Sequence, residues 1–381
     1  MTAISRKAMR IGLGLLLCST FNGAGAEPIL TRVPNGGIQP QALNESNGAL
    51  HLIYYKGDAK AGDLYYMMRP AGAAAFSNPI QINSTRGSAI AIGTIRGAQF
   101  ALGRENRVHV AWNGSGAEGA AGMRYTRLND NSATFEPERN LMTVTEGLDG
   151  GGSVAADQAG NVYVVWHGLD RTGPKGETNR AVFVAVSRDD GASFACEKRA
   201  LPDRLGACAC CGLKAYATDK GELFVLYRAA RTDSQRDETL LVSNDGAKSF
   251  KDSFTHPWSV NTCPMSSAWL GMGASNHIIA GWETSGRSWF MDCSLPFTNP
   301  PRPISLTDSP GQKHPAAVSN AAGQMLFVWS EGTGWQKGGA IVWRVIDSQG
   351  KAIGGGRKDG LPVWSFPTAV ARPDGTFEIF F

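Results

Sequence analysis

Short apolar runs that end in an aromatic residue, followed at once by a polar one, recur along this chain. They read His51-Leu-Ile-Tyr54-Tyr55-Lys56, His109-Val-Ala-Trp112-Asn113, Tyr163-Val-Val-Trp166-His167, Phe224-Val-Leu-Tyr227-Arg228, Ile279-Ala-Gly-Trp282-Glu283 and Leu326-Phe-Val-Trp329-Ser330, and a last copy, Phe377-Glu-Ile-Phe380-Phe381, ends the protein. Alternation within each run is that of a strand in a sheet with packed faces. A spacing of about 50 to 60 residues between copies predicts the blades of a β-propeller. A shorter inner strand precedes each run, at 40–43, 98–102, 153–156, 213–217, 267–271 and 315–318. A third strand follows, then a turn and a short outer strand such as 79–82. Inner strands start near residues 39, 98, 153, 213, 266, 314 and 367, and the seventh start has only two strands before the chain stops. Segment 29–33 is placed to add a strand there and close the ring. The expectation is an all-β propeller of four-stranded blades, seven in number, with six and an irregular closure as the alternative.

The turn between third and fourth strands carries a second repeat. Ser187-Arg-Asp189-Asp-Gly191-Ala-Ser193-Phe194 follows Ser-x-Asp-x-Gly-x-Thr-Trp/Phe. Ser243-Asn-Asp245-Gly-Ala-Lys-Ser249-Phe250 follows it with the glycine displaced, and 130–135 is a worn copy. The Asp carboxylate can accept backbone N–H bonds in a tight turn, the Gly permits positive φ, and the aromatic plugs the blade. These turns resemble the Asp-boxes of the sialidase and BNR-repeat superfamily. The resemblance implies a sialidase-like propeller with its Asp-boxes on the face away from the usual active site. A looser resemblance to exported sialidase-superfamily proteins runs through Gly-Thr-Ile-Arg96-Gly, Trp166-His167-Gly, Cys208-Ala-Cys210-Cys211 and Cys263-Pro-Met265.

The N-terminus reads as an export signal. Arg6, Lys7 and Arg10 precede the mainly apolar run 11–21, and Ala24-Gly25-Ala26 offers a small-residue cleavage site. Cleavage after Ala26 leaves 27–381 as a single propeller domain, periplasmic or secreted, and expected to be a monomer. No other stretch approaches the ~20 apolar residues that a membrane helix needs. Loss of the three basic residues of the signal takes the formal net charge from +4 to +1. A nearly neutral chain gives no reason to expect nucleic acid or an anionic membrane surface as partner.

Strand order puts the second-to-third loops and the blade-to-blade connectors on one rim. Tyr55, Lys56, Asn113, His167, Arg228, Glu283 and Glu331 come from the loops. Gln39, Arg96, Cys208, Cys210, Cys211, Cys263, Met265 and His314 come from the connectors. Uncommon chemistry at equivalent positions nominates this rim as the ligand site. His51 and His109 fill a slot that is hydrophobic in other copies and read as packed structural histidines.

Three functions compete for the rim. The sialidase resemblance implies binding or hydrolysis of a carbohydrate or glycoconjugate, by an exo-glycosidase that uses a tyrosine nucleophile assisted by a glutamate. By position, Glu283 and then Glu331 are the acid/base candidates, and Tyr55 is the nucleophile candidate. Arg32, in Thr31-Arg32-Val33-Pro34, is the nearest match to the arginine with which that family grips a carboxylate. Arg96 and Arg228 offer further guanidinium forks, and His167 and Asn113 further polar contacts. Trp335 is placed to stack on a sugar ring. The second reading is a metal site. Cys208, Cys210, Cys211, Cys263, Met265 and His314 bring thiolate, thioether and imidazole ligands together, a set that suits copper, or zinc without the Met. Its alternative is a disulfide from Cys263 to Cys208, Cys210 or Cys211, stapling adjacent blades in an oxidising compartment. Cys196 and Cys293 sit on outer strands of non-adjacent repeats, out of reach of each other. The third reading is a non-catalytic binding scaffold.

Overall fold

The computed structural model describes residues 27–203, 206–297 and 302–381. The expected export signal, with Cys18 and the expected cleavage site after Ala26, lies outside the described residues.

The described strands form seven blades. Blade 1 holds Ile38–Asn44, Leu50–Asp58, Ala61–Arg69 and Ile80–Gln81, and blade 2 holds Gln99–Leu102, Val108–Asn113, Met123–Arg127 and Arg139–Asn140. Blade 3 holds Gly152–Ala156, Val162–Asp170, Ala181–Ser187 and Lys198–Arg199, with Thr145–Glu146 added beside the end of its second strand. Blade 4 holds Leu213–Ala217, Leu223–Arg228, Glu238–Ser243 and Lys251–His256. Blade 5 holds Ala268–Met272, Ile278–Thr284 and Arg287–Asp292, with Ile304 bridging to Phe290 where an outer strand would lie. Blade 6 holds Gln312–Ser319, Met325–Glu331, Gly339–Ile346 and Ala352–Leu361. Blade 7 pairs Thr368–Ala371 with Phe377–Phe380 and takes Ile29–Thr31 as its third strand, parallel to the second. The ring is therefore seven-bladed and closed by the N-terminal segment.

The apolar second strands explain why the ring holds together. In Leu223–Arg228, alternate residues Leu223, Val225 and Tyr227 enter the core shared with blade 3. Phe224 and Leu226 between them enter the core shared with blade 5. A strand with side chains alternating between two packed faces must be apolar throughout. The same arrangement gives one hydrophobic cluster between each neighbouring pair of blades, including the pair that closes the ring. The terminal aromatics Trp112, Trp166, Trp282 and Trp329 are fully buried.

Both Asp-boxes form. Asp189 accepts from Ser187 Oγ at 2.7 Å, Ser193 N at 2.9 Å and Ser193 Oγ at 2.6 Å. Asp245 repeats the pattern with Ser243 Oγ at 2.8 Å and Ser249 N at 3.0 Å. Those bonds hold the Asp189 carboxyl down at about 2. Phe250 is buried in the core shared by blades 3 and 4, and Phe194 packs edge-on against Tyr125 at 4.7 Å. His51 and His109 are buried, each bonded through Nδ1 to a tyrosine hydroxyl, Tyr66 at 2.9 Å and Tyr125 at 2.8 Å.

Candidate functional site at the axial mouth

The connector from blade 1 to blade 2 lies across the propeller axis on the connector rim. Gln39 of blade 1 donates to Ala91 O at 2.6 Å and to Trp364 O, in the connector to blade 7, at 2.9 Å. Arg96 donates to Asp149 of the connector to blade 3, through Nε to the backbone oxygen at 2.8 Å and through Nη2 to the carboxylate at 2.5 Å. Gly93, at φ +81, is pressed so closely that an added Cβ would fall 2.7 Å from Arg96 Nη1, 2.7 Å from Met265 Cε and 3.8 Å from Trp335. Glycine serves there because side chains from its own connector, the connector to blade 5 and blade 6 meet at one point. Ile95 beneath it is buried.

This connector leaves a cavity of about 50 Å³ on the axis, lined by Thr94, Gln99, Lys214, His314 and Phe366 among others. Lys214 projects there with Gln99 Oε1 at 2.5 Å as its partner, and burial lowers its ammonium to about 8.

Backbone geometry marks the same rim. Gln39, Thr94, Met265, His314 and Trp364 all carry positive φ, between 45° and 61°. Each stands at or just before the start of an inner strand, in five of the seven blades. Such conformations are costly for residues with a Cβ and cluster where geometry is under functional constraint.

What faces outward at the mouth is aromatic. Trp335, in the loop between second and third strands of blade 6, is 60% exposed, the most exposed large apolar side chain among the described residues. Trp364 packs against it edge to face, with ring centroids 4.8 Å apart. Arg96 and half-exposed Asp149 flank the pair through Gly93.

The remaining candidates divide into those beneath this surface and those away from it. Glu283 is buried, with Lys313 Nζ 3.5 Å from Oε2. Burial pushes its carboxyl above the ordinary range against the pull of Lys313 and Arg228. Lys313 also donates to the carbonyls of Pro264 and Met265 at 3.1 and 3.3 Å, tying Glu283 to the segment that covers it. Arg228 is fully buried. Its guanidinium is consumed by Glu238 at 2.9 Å, Arg236 O at 2.8 Å, Thr284 Oγ1 at 3.2 Å, Ser266 Oγ at 3.1 Å and the Glu283 carbonyl. It has no fork left for a ligand, so the substrate-binding expectation for Arg228 is replaced by a structural role. His167 is buried against Cys211 O at 2.8 Å, and burial lowers it to about 4. Asn113 donates to the carbonyls of Asp149 and Gly150 at 3.0 and 2.6 Å, fixing the connector to blade 3.

Tyr55 is packed between blades 1 and 2, where its hydroxyl donates to Asp58 O and burial raises it well above the ordinary phenol range. Glu331 accepts from Trp329 Nε1 at 2.9 Å and pairs at 2.9 Å with Arg357 of the outer strand. Arg32 is exposed at the ring closure, 4.9 Å over the Phe381 ring. Arg32, Arg96 and Arg228 are thus spread over three environments: the closure, the mouth and the interior. They do not form a triad around Glu283.

The sulfur cluster holds one of the expected disulfides and leaves two thiols beside it. Cys210 and Cys263 are disulfide-bonded across blades 4 and 5, while Cys208 and Cys211 are free and buried. Cys208 Sγ lies 3.2 Å from Cys211 Sγ and 3.6 Å from Cys210 Sγ. Cys196 and Cys293 are also free. The two non-cysteine ligands go elsewhere: Met265 turns to Gly93 and Arg96, and His314 stacks on Phe366 at 4.9 Å beside the axial cavity.

Sequence reasoning missed Trp364, Asp149 and Lys214. Trp364 occupies the same pre-strand slot as Met265, so aligning connectors as closely as second strands would have exposed it.

No protein-family profile matches the chain, and no curated protein does. Solved structures do. The Aleuria aurantia lectin AAL in complex with Fucα1-6GlcNAc is similar at TM-score 0.52 and 12% identity, covering 86% of this chain and 97% of that one. The α-L-arabinofuranosidase Arb93A of Fusarium graminearum is similar at TM-score 0.50 and 11% identity, covering 77% and 88%. The Hadza microbial sialidase Hz136 is similar at TM-score 0.49 and 12% identity, covering 78% and 64%. At these identities the likeness is one of fold. Among the described residues no helix is long and apolar enough to cross a membrane.

Proposed function

We propose that this chain is an exported glycan-binding propeller whose ligand seats on the axial mouth, stacked on Trp335 beside Arg96. The observation that carries this is Trp335 itself: a large indole held out into solvent by an edge-on Trp364, next to a guanidinium and a half-exposed carboxylate. Aromatic faces offer apolar area to the C–H side of a sugar ring, and charged neighbours orient its hydroxyls. Binding is favoured over hydrolysis because Glu283 is buried and held by Lys313, which also ties to the Pro264 and Met265 carbonyls, and the neighbouring Glu238 is buried and paired with Arg228, so neither carboxyl reaches the surface. A glycosidase needs two such groups flanking one bond.

The test is a glycan array followed by titration of the best ligand, read by tryptophan fluorescence. Trp335→Ala is expected to weaken binding at least about thirtyfold, the ~2 kcal/mol of an aromatic anchor. A wild-type protein that binds no glycan, or an alanine variant that binds as tightly, overturns the proposal. Turnover of aryl glycosides that Glu283→Gln abolishes would replace it with the hydrolytic reading.

A further inference from the structure

The thiol pair beneath the Cys210–Cys263 disulfide has no part in glycan binding. Cys208 and Cys211 are each 1% exposed. Their connector is tied down on both sides: Cys208 N donates to Arg228 O at 2.8 Å, Ala209 N to Glu177 at 2.9 Å and Gly212 N to Ser266 O at 2.9 Å. The sulfurs of Cys208, Cys210 and Cys211 all lie within 4.8 Å of one another. Cys263, the fourth, is on an exposed residue, so one end of the disulfide faces solvent while the other faces the buried thiols.

We propose that these four sulfurs form a redox-gated site for a thiophilic d10 cation, Zn²⁺ or Cu⁺. In the oxidised protein the disulfide withholds two of the four ligands. An external dithiol attacks the exposed sulfur of Cys263 and displaces the Cys210 thiolate. Its second sulfur then closes a cyclic disulfide and releases Cys263. Two electrons pass from the dithiol to the protein, one S–S bond breaks and one forms. The four cysteines then surrender their protons to solvent as they ligate one cation. In a tetrahedral thiolate site with metal–sulfur bonds of about 2.3 Å, the sulfurs stand about 3.8 Å apart. The 3.2 and 3.6 Å separations already present are close to that edge length, so three of the four sulfurs are gathered before the metal arrives. Thiolate donors select these cations over oxygen-seeking ones. Met265 and His314 are excluded from the ligand set because they face Gly93 and Phe366.

The experiment uses the whole protein in two states, untreated and reduced with a phosphine that is removed by gel filtration under argon before metal is added. Each is titrated with Zn²⁺ against a chromophoric chelator, and with Cu⁺ against a Cu⁺ chelator under argon. The reduced protein is expected to take up one equivalent of at least one cation, with a thiolate-to-metal absorption band for Cu⁺. The untreated protein is expected to take up none. Alkylation of the reduced protein and intact mass should show Cys210 and Cys263, the accessible pair, protected by the bound metal and modified without it, a readout that needs no variant to fold. Cys208→Ser/Cys211→Ser should lose uptake. Absence of binding to the reduced protein, equal binding in both states, or alkylation unaffected by metal overturns the proposal. A failure of Trp335→Ala to affect glycans would leave it standing.

Discussion

Arg228 shows how a residue of the expected chemistry is spent inside the fold. A guanidinium stripped of water must keep its donors occupied, and here Glu238, two carbonyls and two hydroxyls do so. Burial raises the Glu238 carboxyl to about 8 even beside this cation, so the pair depends on both members. Arg228→Met is expected to cost about 3–5 kcal/mol, because it leaves the Glu238 carboxyl, two carbonyls and two hydroxyls buried without their donor. Urea unfolding checks this, and a loss under about 1 kcal/mol would return Arg228 to the list of dispensable rim residues. Trp335 is the opposite case: exposed, it should matter to ligand and little to stability.

At the scale of the element, the two Asp-boxes use one turn with different sequences. Each box has two consecutive left-handed residues, Asp190 at φ +59 and Gly191 at φ +79 in the first, Gly246 at φ +71 and Ala247 at φ +65 in the second. The glycine thus takes the second of the two positions in one box and the first in the other, leaving Ala247 in the slot that Gly191 fills. A left-handed alanine costs about 1–2 kcal/mol, less the ~0.5–1 kcal/mol of chain entropy that a glycine loses. Ala247→Gly should therefore stabilise the protein by about 0.5–1 kcal/mol, seen as a rise in Tm. An unchanged or lowered Tm would mean that the turn tolerates alanine without strain. The axial mouth repeats this feature, since five of the blades hold a non-glycine residue at positive φ at or just before the inner strand.

For the whole molecule, closure packs histidines where they cannot take a proton. Burial lowers His167 to about 4 and His314 to about 3, from 6.5 in an unfolded chain. As pH falls, the unfolded chain therefore binds protons first. The stability these groups confer is complete above pH 6.5 and is lost as pH falls through 6.5 toward 4. Each steepens the decline by up to about 1.4 kcal/mol per pH unit. Urea midpoints at pH 7 and pH 5 should diverge in the wild type and diverge less in His314→Phe, which keeps a ring against Phe366. Equal divergence in both would mean that His314 titrates in the fold.

The repeat of apolar strands and its period predicted a propeller of seven or six blades, placed segment 29–33 to close it, and nominated the connector rim. They could do so because a second strand buried on both faces must be apolar throughout, and because a blade of four strands fixes which loops share a side. The same pattern placed His51 and His109 in the core. It could not tell which rim residues face the ligand. Glu283, Arg228 and His167 follow equivalent aromatics, yet the neighbouring connectors close over all three, while Trp335 is left outside. Nor could it choose between disulfide and thiol among Cys208, Cys210, Cys211 and Cys263. Those outcomes depend on how loops from separate blades cross above the axis, a matter of three-dimensional contact between residues far apart in the chain.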